Sequence, residues 1–469
     1  MIPTLAQPLR SSIEPDGDGL AVTLRADPGS DGAAFEGTLR DPSRFREGMI
    51  AFLEALGGSP LPCGPIVSAS ADAVVWEGFA ADESAYALLS VDRSLFAEVS
   101  GVQFGTSSVE LSWTLAKDFR GLRSYRPTRL VIGPGDPGVG ENPAGPPLGW
   151  LRASLRLQAA LALPGRRIAL AREGLYDLLA SPGRPAGLRI ERAAAGAVSA
   201  VREPLGRRIA RLGTAEGGPG GWSIGVRGVR RLASLAGLLP LVDEVELTLL
   251  GDGLPSVWSA RMGGVRLVLG LSGWTAGDGL SAGGASLGRL DPPAEPGRYL
   301  AGRVLASFRD HTSQTLAEVV ERSGGGEAET VAALYRLAGS GRLAHDRPLG
   351  LYRLRPWMPS GSPIDRPPSD DPEAVAAREI ARTRSVRVTL DQVSPDGPRL
   401  IEGEVLGRPA SLRLDAQGRL TRGRCSCSHR SPGGSRLHPC RHLRALVEAA
   451  TAPTQVPASL DAWLARLRG

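Results

Sequence analysis

Hydrophobic and polar positions alternate in short runs along much of this chain, a period-two pattern that predicts many strands. GLAVTLRA, DAVVWEGF and YALLSVD, all within the first 92 residues, read as strands. VSGVQFGTSSVELSWTLAKDFRGLRSYRPTRLVIG then reads as strand, helix, strand. The period changes at Trp150, where Trp150, Leu151, Leu155 and Leu161 mark an amphipathic helix. VDEVELTLLG and GVRLVLGL return to strand patterning before residue 272.

Between Arg298 and Leu354 helical spacing dominates. Leu300, Val304 and Phe308 share one helical face. Thr315 is placed to cap a second helix carrying Leu316, Val319 and Val320, which Ser323-Gly324-Gly325-Gly326 ends. A third helix from Ala328 buries Val331, Leu334 and Leu337, and GRLAHD and GLYRLR form two strands around a wing at Arg347-Pro348-Leu349. Three helices and a two-stranded wing resemble a winged helix-turn-helix, whose DNA-binding form reads base edges from its third helix. Here that helix opens with Glu327 and Glu329 and offers only Arg336. That charge pattern favours a structural or protein-binding unit over a base-reading one.

Three Pro/Gly-rich stretches, Gly133–Gly149, Gly277–Gly297 and Pro356–Pro372, are the expected boundaries. They divide the chain into an α+β unit (1–140), a basic α/β unit (150–275), a winged-helix-like unit (298–357) and a C-terminal unit (374–469). The expected fold class is therefore α+β and multidomain, which suits 469 residues.

Composition narrows the chemistry. Of 55 basic residues only Lys117 is a lysine, and Arg, Gly, Pro and Ala, all abundant here, share G+C-rich codons. The net charge of +6 therefore says less about nucleic acid than the positions of the arginines do. Lys117 is followed by Asp118 with no glycine loop before it, which excludes a Walker-type phosphate loop. The N-terminus MIPTLAQPLR lacks a signal-peptide pattern, and the longest apolar stretch, Leu232 to Val242, is interrupted by Pro240. The expectation is a cytoplasmic protein with no membrane partner. Residues 150–231 carry 15 arginines against 5 acidic residues, a solvated surface or a face for an acidic partner.

Chemistry-bearing side chains gather at the C-terminus. Cys425, Cys427 and Cys440 fall within 18 residues together with His429, His438 and His442, whereas Cys63 stands alone in a Pro-rich loop. The spacing is C-S-C, twelve residues, then C-R-H. Two ligands at i and i+2 chelate from one short segment, and the loop SHRSPGGSRLHP can close the two pairs around one ion. Three thiolates and an imidazole suit zinc, and four protein ligands leave no open position, so the ion would be structural. His429 or His438 could replace His442 as the fourth ligand. Ala410–Leu414 and Arg419–Cys425 pattern as a hairpin turning at Ala416-Gln417-Gly418, and Pro439 opens a helix with Leu443, Leu446 and Val447 on one face.

This constellation resembles the SWIM zinc finger, C-x-C followed by C-x-H, through Cys425, Cys427, Cys440 and His442. The runs RSVRVTL, RLIEGEVLG and PASLRLDAQG look like the sheet that leads into that finger. Proteins with SWIM domains are associated with binding DNA or other proteins, not with catalysis at the zinc. The N-terminal region, with Gly105-Thr106-Ser107-Ser108 in place of a Gly-Thr-Thr-Asn-like sequence, is also similar to bacterial SWIM proteins. That similarity implies systems containing a MoxR-type AAA+ ATPase and a von Willebrand factor A protein, either a possible partner. Between residues 419 and 444 there are seven arginines and no acidic residue. Three thiolates on a divalent zinc leave one negative charge, so the arginines exceed local compensation. Arg422, Arg424, Arg430, Arg436, Arg441 and Arg444 are the candidate contacts to a protein or nucleic acid.

Two catalytic-looking matches carry little. Gly133-Pro134-Gly135-Asp136-Pro137-Gly138 fits G-x-G-x-x-G, but Pro137, Pro143, Pro146 and Pro147 prevent the helix that would bind pyrophosphate. Gly284-Ala285-Ser286-Leu287-Gly288 fits G-x-S-x-G with no strand leading into it. Only His311 and His345 lie outside the C-terminal cluster. The expected protein is not an enzyme but a zinc-binding interaction protein. The alternatives are an adaptor of a AAA+ ATPase/von Willebrand factor A system and a DNA-binding regulator using winged helix and finger.

Overall fold

Alternation of buried and part-exposed positions runs through Gly19–Ala26 and Ala34–Leu39, so one face of each strand meets a core and the other water. The computed structural model describes residues 11–26, 32–57, 64–109, 111, 113–134, 148–181, 187–203, 206–215, 220–251, 254–272, 298–355, 376–377, 379–381, 383, 385–393, 399–414, 420–427, 440–451, 460–461 and 464. The first segment forms β1 (Ser12–Asp16), β2 (Gly19–Ala26), β3 (Ala34–Leu39), β4 (Ile66–Ala69), β5 (Ala73–Phe79), β6 (Ala85–Asp92), β7 (Phe96–Gln103), β8 (Gly105–Ser108) and β9 (Thr128–Pro134). Helices α1 (Pro42–Leu56) and α2 (Trp113–Asp118) lie among them. The second segment opens with α3 (Leu148–Leu161), β10 (Arg166–Leu170) and α4 (Arg172–Ala180). It continues through β11 (Gly187–Arg192), β12 (Ala197–Glu203), β13 (Arg207–Thr214), β14 (Trp222–Val226), β15 (Glu244–Leu249), β16 (Ser256–Met262) and β17 (Val265–Leu271).

These two segments share one sheet. Twelve strands run in the order β14-β11-β12-β13-β10-β15-β16-β17-β6-β5-β4-β8, and β17 pairs antiparallel with β6 from Val265↔Val91 to Leu271↔Ala85. The Pro/Gly stretch expected to separate units 1–140 and 150–275 therefore joins two parts of one sheet and one core. Such a stretch breaks local periodicity without breaking hydrogen bonding between distant strands. A second sheet, β1-β2-β9-β3-β7, packs into the same core.

Helices cover both faces of the large sheet. Helix α1 is capped by the Asp41 carboxylate, which accepts from Arg44 N at 3.0 Å, and ends at Gly57 in the left-handed region. Gly48 brings α1 against Leu89 and Val265, where a β-carbon would sit 2.9 Å from Leu89 Cδ1. On the opposite face α3 buries Trp150, Leu151, Leu155 and Leu161 against Val75, Tyr86, Leu88, Val257 and Val268.

The next segment forms α5 (Arg298–Ser307), β18 (Ser313–Thr315), α6 (Leu316–Ser323), α7 (Glu327–Gly339), β19 (Leu343–Asp346) and β20 (Leu351–Leu354). Thr315 and Glu318 form a reciprocal capping box, and Gly324 closes α6 in the left-handed region. Strand β18 adds a third strand, in the order β18-β20-β19, to the two that the sequence pattern predicts. Helix α7 is buried on both sides: Val331, Tyr335 and Ala338 pack with Ala159 and Ala160 of α3, while Leu334 and Leu337 pack with Leu300, Val304 and Phe308.

This unit does not hang free at the boundary the sequence suggests; buried polar groups fix it to the large sheet. Asp346 accepts from Arg353 at 3.2 Å and lies 3.8 Å from Arg266, which itself reaches Asp92 at 2.6 Å. Arg353 also reaches Asp72 at 2.6 Å. Burial alone would raise the Asp72 carboxyl, but Arg353 outweighs it and holds the group below its ordinary value. Glu77, 1% exposed, accepts from Gln158 of α3 at 2.6 Å and from Tyr86, and pairs with Arg355 at 3.4 Å. The expected wing, Arg347-Pro348-Leu349, is a tight turn whose Arg347 is buried. Its guanidinium donates to the carbonyls of Leu161 and Leu163, while Tyr352 donates to that of Ala162 at 3.1 Å. A cation on the terminal carbonyls of α3 satisfies acceptors that have no intrahelical partner and opposes the helix dipole.

The last segment contains β21 (Val386–Val393), β22 (Arg399–Val405), β23 (Arg408–Leu414), β24 (Leu420–Cys425) and α8 (Arg441–Thr451). Its sheet is a meander, β21-β22-β23-β24, with its own core of Ile401, Val405, Leu412, Leu443, Leu446 and Val447. The chain is thus mixed α/β, mostly sheet, with several cores. Among the described residues no helix is long and apolar enough to cross a membrane.

Candidate metal centre

The C-terminal sheet brings the predicted ligands together. Register pairs Ala410 with Cys425 and Leu412 with Gly423, so Cys425 lies on the core face, at the end of β24. Cys427 follows two residues later. Helix α8 supplies the other pair: Cys440 immediately precedes it, its carbonyl accepting from Arg444 N at 3.1 Å, and His442 sits in the first turn. Gly403 sets the approach of α8, because a β-carbon there would meet Leu446 Cδ1 at 2.7 Å and the Arg387 carbonyl at 2.5 Å. The hairpin turn itself lies outside the described residues.

One ligand atom from each of Cys425, Cys427, Cys440 and His442 can be chosen so that all lie within 4.8 Å of one another. Tetrahedral zinc, with bonds of about 2.3 Å to sulfur and about 2.0 Å to nitrogen, would set its ligands about 3.5–3.8 Å apart. Only a small contraction separates the two geometries. Cys440 and His442 are buried, and Cys425 and Cys427 half-buried.

The donor set also fits a cation electrostatically. Burial pushes the Cys425 thiol up to about 12, reinforced by the neighbouring Cys440 and Cys427. Burial and Cys427 likewise raise Cys440. Three thiols crowded into one half-buried space resist ionising together, and a divalent cation supplies the charge that lets them do so. Two of the three sulfurs accept a backbone N–H, Cys425 from Cys427 and Cys440 from Leu443, which favours their thiolate forms. These residues fit a structural zinc ion. His429 and His438, the alternative ligands, lie outside the described residues.

The arginines divide between two surfaces. Arg422 and Arg424 are exposed and alternate with Gly423 and Cys425, so they occupy the sheet face opposite the ligands. Neither forms an ion pair with any described residue. Register sets the exposed Arg413 directly beside Arg422, a neighbour that the local motif does not reveal; the matching alternation of β23 is its only trace in sequence. Arg441 is exposed and Arg444 half-buried on α8. Arg430 and Arg436 lie outside the described residues. Two other arginines of this sheet are paired, Arg387 with Glu404 at 2.8 Å and Arg399 with Asp391 at 2.6 Å. A cavity of about 780 Å³ borders Cys427, Cys440 and His442 and is walled by Ile380, Leu406 and Arg408.

The two remaining histidines serve elsewhere. His345 is buried on β19, with Nδ1 3.0 Å from the Leu161 carbonyl and its ring stacked on Tyr352. Burial, then the Arg347 charge, lowers it to about 3, so it is a neutral core histidine. His311 precedes β18, and its carbonyl accepts from Gln314 at 3.3 Å.

No family model matches this chain, and no curated protein does. Among solved structures, the proliferating cellular nuclear antigen of Entamoeba histolytica aligns with a TM-score of 0.35 at 12% identity, over 51% of this chain and 98% of that one. The protein of the same name from Thermococcus kodakaraensis aligns with a TM-score of 0.34 at 14% identity, over 51% and 99%.

Proposed function

We propose that this chain is a non-enzymatic interaction protein in which a zinc-stabilised module of the SWIM type presents arginines to an anionic partner. The observation that carries this reading is the union of two features on β24. Its end and the residues just after it hold two members of a four-donor cluster within 4.8 Å, and its outer face carries the exposed Arg422 and Arg424, which form no ion pair among the described residues. The ion would fix that strand by joining it to α8 through Cys425, Cys427, Cys440 and His442. So short a hairpin and helix bury little by themselves, and metal binding would then contribute directly to folding.

A protein partner is favoured over sequence-specific DNA. We read the helix, strand, helix, helix, strand, strand order of residues 298–354 as a winged-helix-like unit with a structural role. Its third helix is buried against α3 and α5, and Arg347 of its wing caps α3. Neither is free to enter a groove.

Zinc stoichiometry and a charge-dependence assay test this together. One zinc per chain is expected. Chelation or Cys440→Ser would open residues 376–451 to proteolysis while the twelve-stranded sheet stays protected. Binding of polyglutamate or duplex DNA would weaken with salt and with Arg422→Glu/Arg424→Glu. A chain that binds no zinc, or a C-terminal module unchanged by chelation, refutes the zinc role; salt-insensitive binding refutes the arginine role.

A further inference from the structure

The sheet order leaves β24 at an edge, paired among the described residues with β23 alone. An edge strand turns the N–H and C=O of alternate residues outward, and these groups can template another strand. Proteins commonly blunt such edges with charge, and Arg422 and Arg424 do so selectively. Two copies of β24 meeting edge to edge would set arginines beside arginines, a repulsive arrangement. The same pair attracts an extended segment with carboxylates at alternate positions, since Asp or Glu opposite Arg is a favourable cross-strand pair. Arg413, beside Arg422 on the next strand, extends the positive stripe across the sheet.

The other edge is less suited. Strand β21 has a register shift between Val388 and Leu390, and its Asp391 is already held by Arg399. Nucleic acid fits β24 less well than a peptide does. Bases use no strand edge, and the aromatic platforms on which single strands stack are nearly missing from this region, where residues 374–469 contain one aromatic, Trp463.

We infer that β24 is a docking edge for an extended acidic segment of a partner protein, which adds as a fifth strand beside Arg422 and Arg424. This rests on the proposed function and sharpens it from an anionic partner to a strand-forming acidic peptide. It is a form of β-strand addition in which main-chain hydrogen bonds give affinity and alternate side chains give specificity.

The test uses the full zinc-loaded chain and a fluorescein-labelled synthetic peptide alternating Glu with Val and Thr, read by fluorescence anisotropy. Two further peptides of the same sequence carry N-methyl groups on one or the other set of alternate residues. These remove main-chain donors and keep the charge. Duplex DNA is the fourth ligand. The parent peptide is expected to bind, one of the two N-methylated peptides to lose affinity about tenfold or more, and Arg422→Glu/Arg424→Glu to do the same. Circular dichroism and zinc content of the double variant show that it folds. If both N-methylated peptides bind like the parent, or duplex DNA binds and the parent does not, strand addition is overturned and the anionic-partner reading survives. If no ligand binds even at low salt, both fall.

Discussion

Lowering the pH from 7.5 to 5.0 should loosen the attachment of residues 298–354 to the large sheet through His345. Its Nδ1 lies 3.0 Å from a carbonyl, so that nitrogen donates and the ring is neutral with Nε2 unprotonated. Burial lowers the ring to about 3, helped by Arg347 and Arg167 and opposed by the hydrogen bond to Leu161. An unfolded histidine titrates near 6.5, so between these values the unfolded chain binds a proton that the folded one excludes. Stability from this group is therefore full above about pH 6.5 and falls as the pH drops toward 3. At pH 5 the loss is about 2 kcal/mol, and the limiting loss is on the order of 5 kcal/mol. His345→Asn keeps a donor near Leu161 and cannot titrate. Chemical denaturation followed by tryptophan emission at both pH values gives the difference directly, since Trp150 reports the core that α3 covers and Trp76 and Trp258 the core on the sheet's other face. Wild type should lose about 2 kcal/mol more than the variant over this interval. Equal losses, or an imidazole NMR titration near 6.5 in the folded protein, would refute the reasoning.

Other perturbations probe the same joints and the metal centre. Arg347→Met strips the cap from the last carbonyls of α3 and should cost about 2–4 kcal/mol, seen as a lower melting temperature; a change below about 0.5 kcal/mol would mean that water satisfies those groups. Asp346→Asn leaves Arg353 and Arg266 with less buried counter-charge and should destabilise by about 3–5 kcal/mol in urea, whereas a neutral result would show that Asp72 and Asp92 suffice. Gly403→Val forces a β-carbon against the Arg387 carbonyl and Leu446, so α8 must shift. Zinc affinity, measured by competition with a chromogenic chelator, should then drop at least about tenfold. Unchanged affinity would show that α8 can move without disturbing Cys440 and His442.

The local pattern of this chain determined its elements. Thr315 with Glu318, Gly324 at the end of a helix, the alternation in Gly19–Ala26 and the C-x-C/C-x-H spacing all depend on residues a few positions apart, and each is legible without a fold. Tertiary structure decided how those elements join. The pairing of β6 with β17 spans roughly 180 residues of sequence, and no local signal announces it, because both strands are buried on both faces and lack a simple alternation that would fix their neighbours. Buried Asp346, Arg353 and Arg266 look in sequence like ordinary surface charge; only the convergence of the adjacent strands β19 and β20 with the distant β17 makes them a joint. The same holds at the metal centre. Spacing alone brought forward four ligands, but register placed Arg422 and Arg424 on the face away from them and set Arg413 alongside, because side chains alternate along a strand while partners are chosen across it.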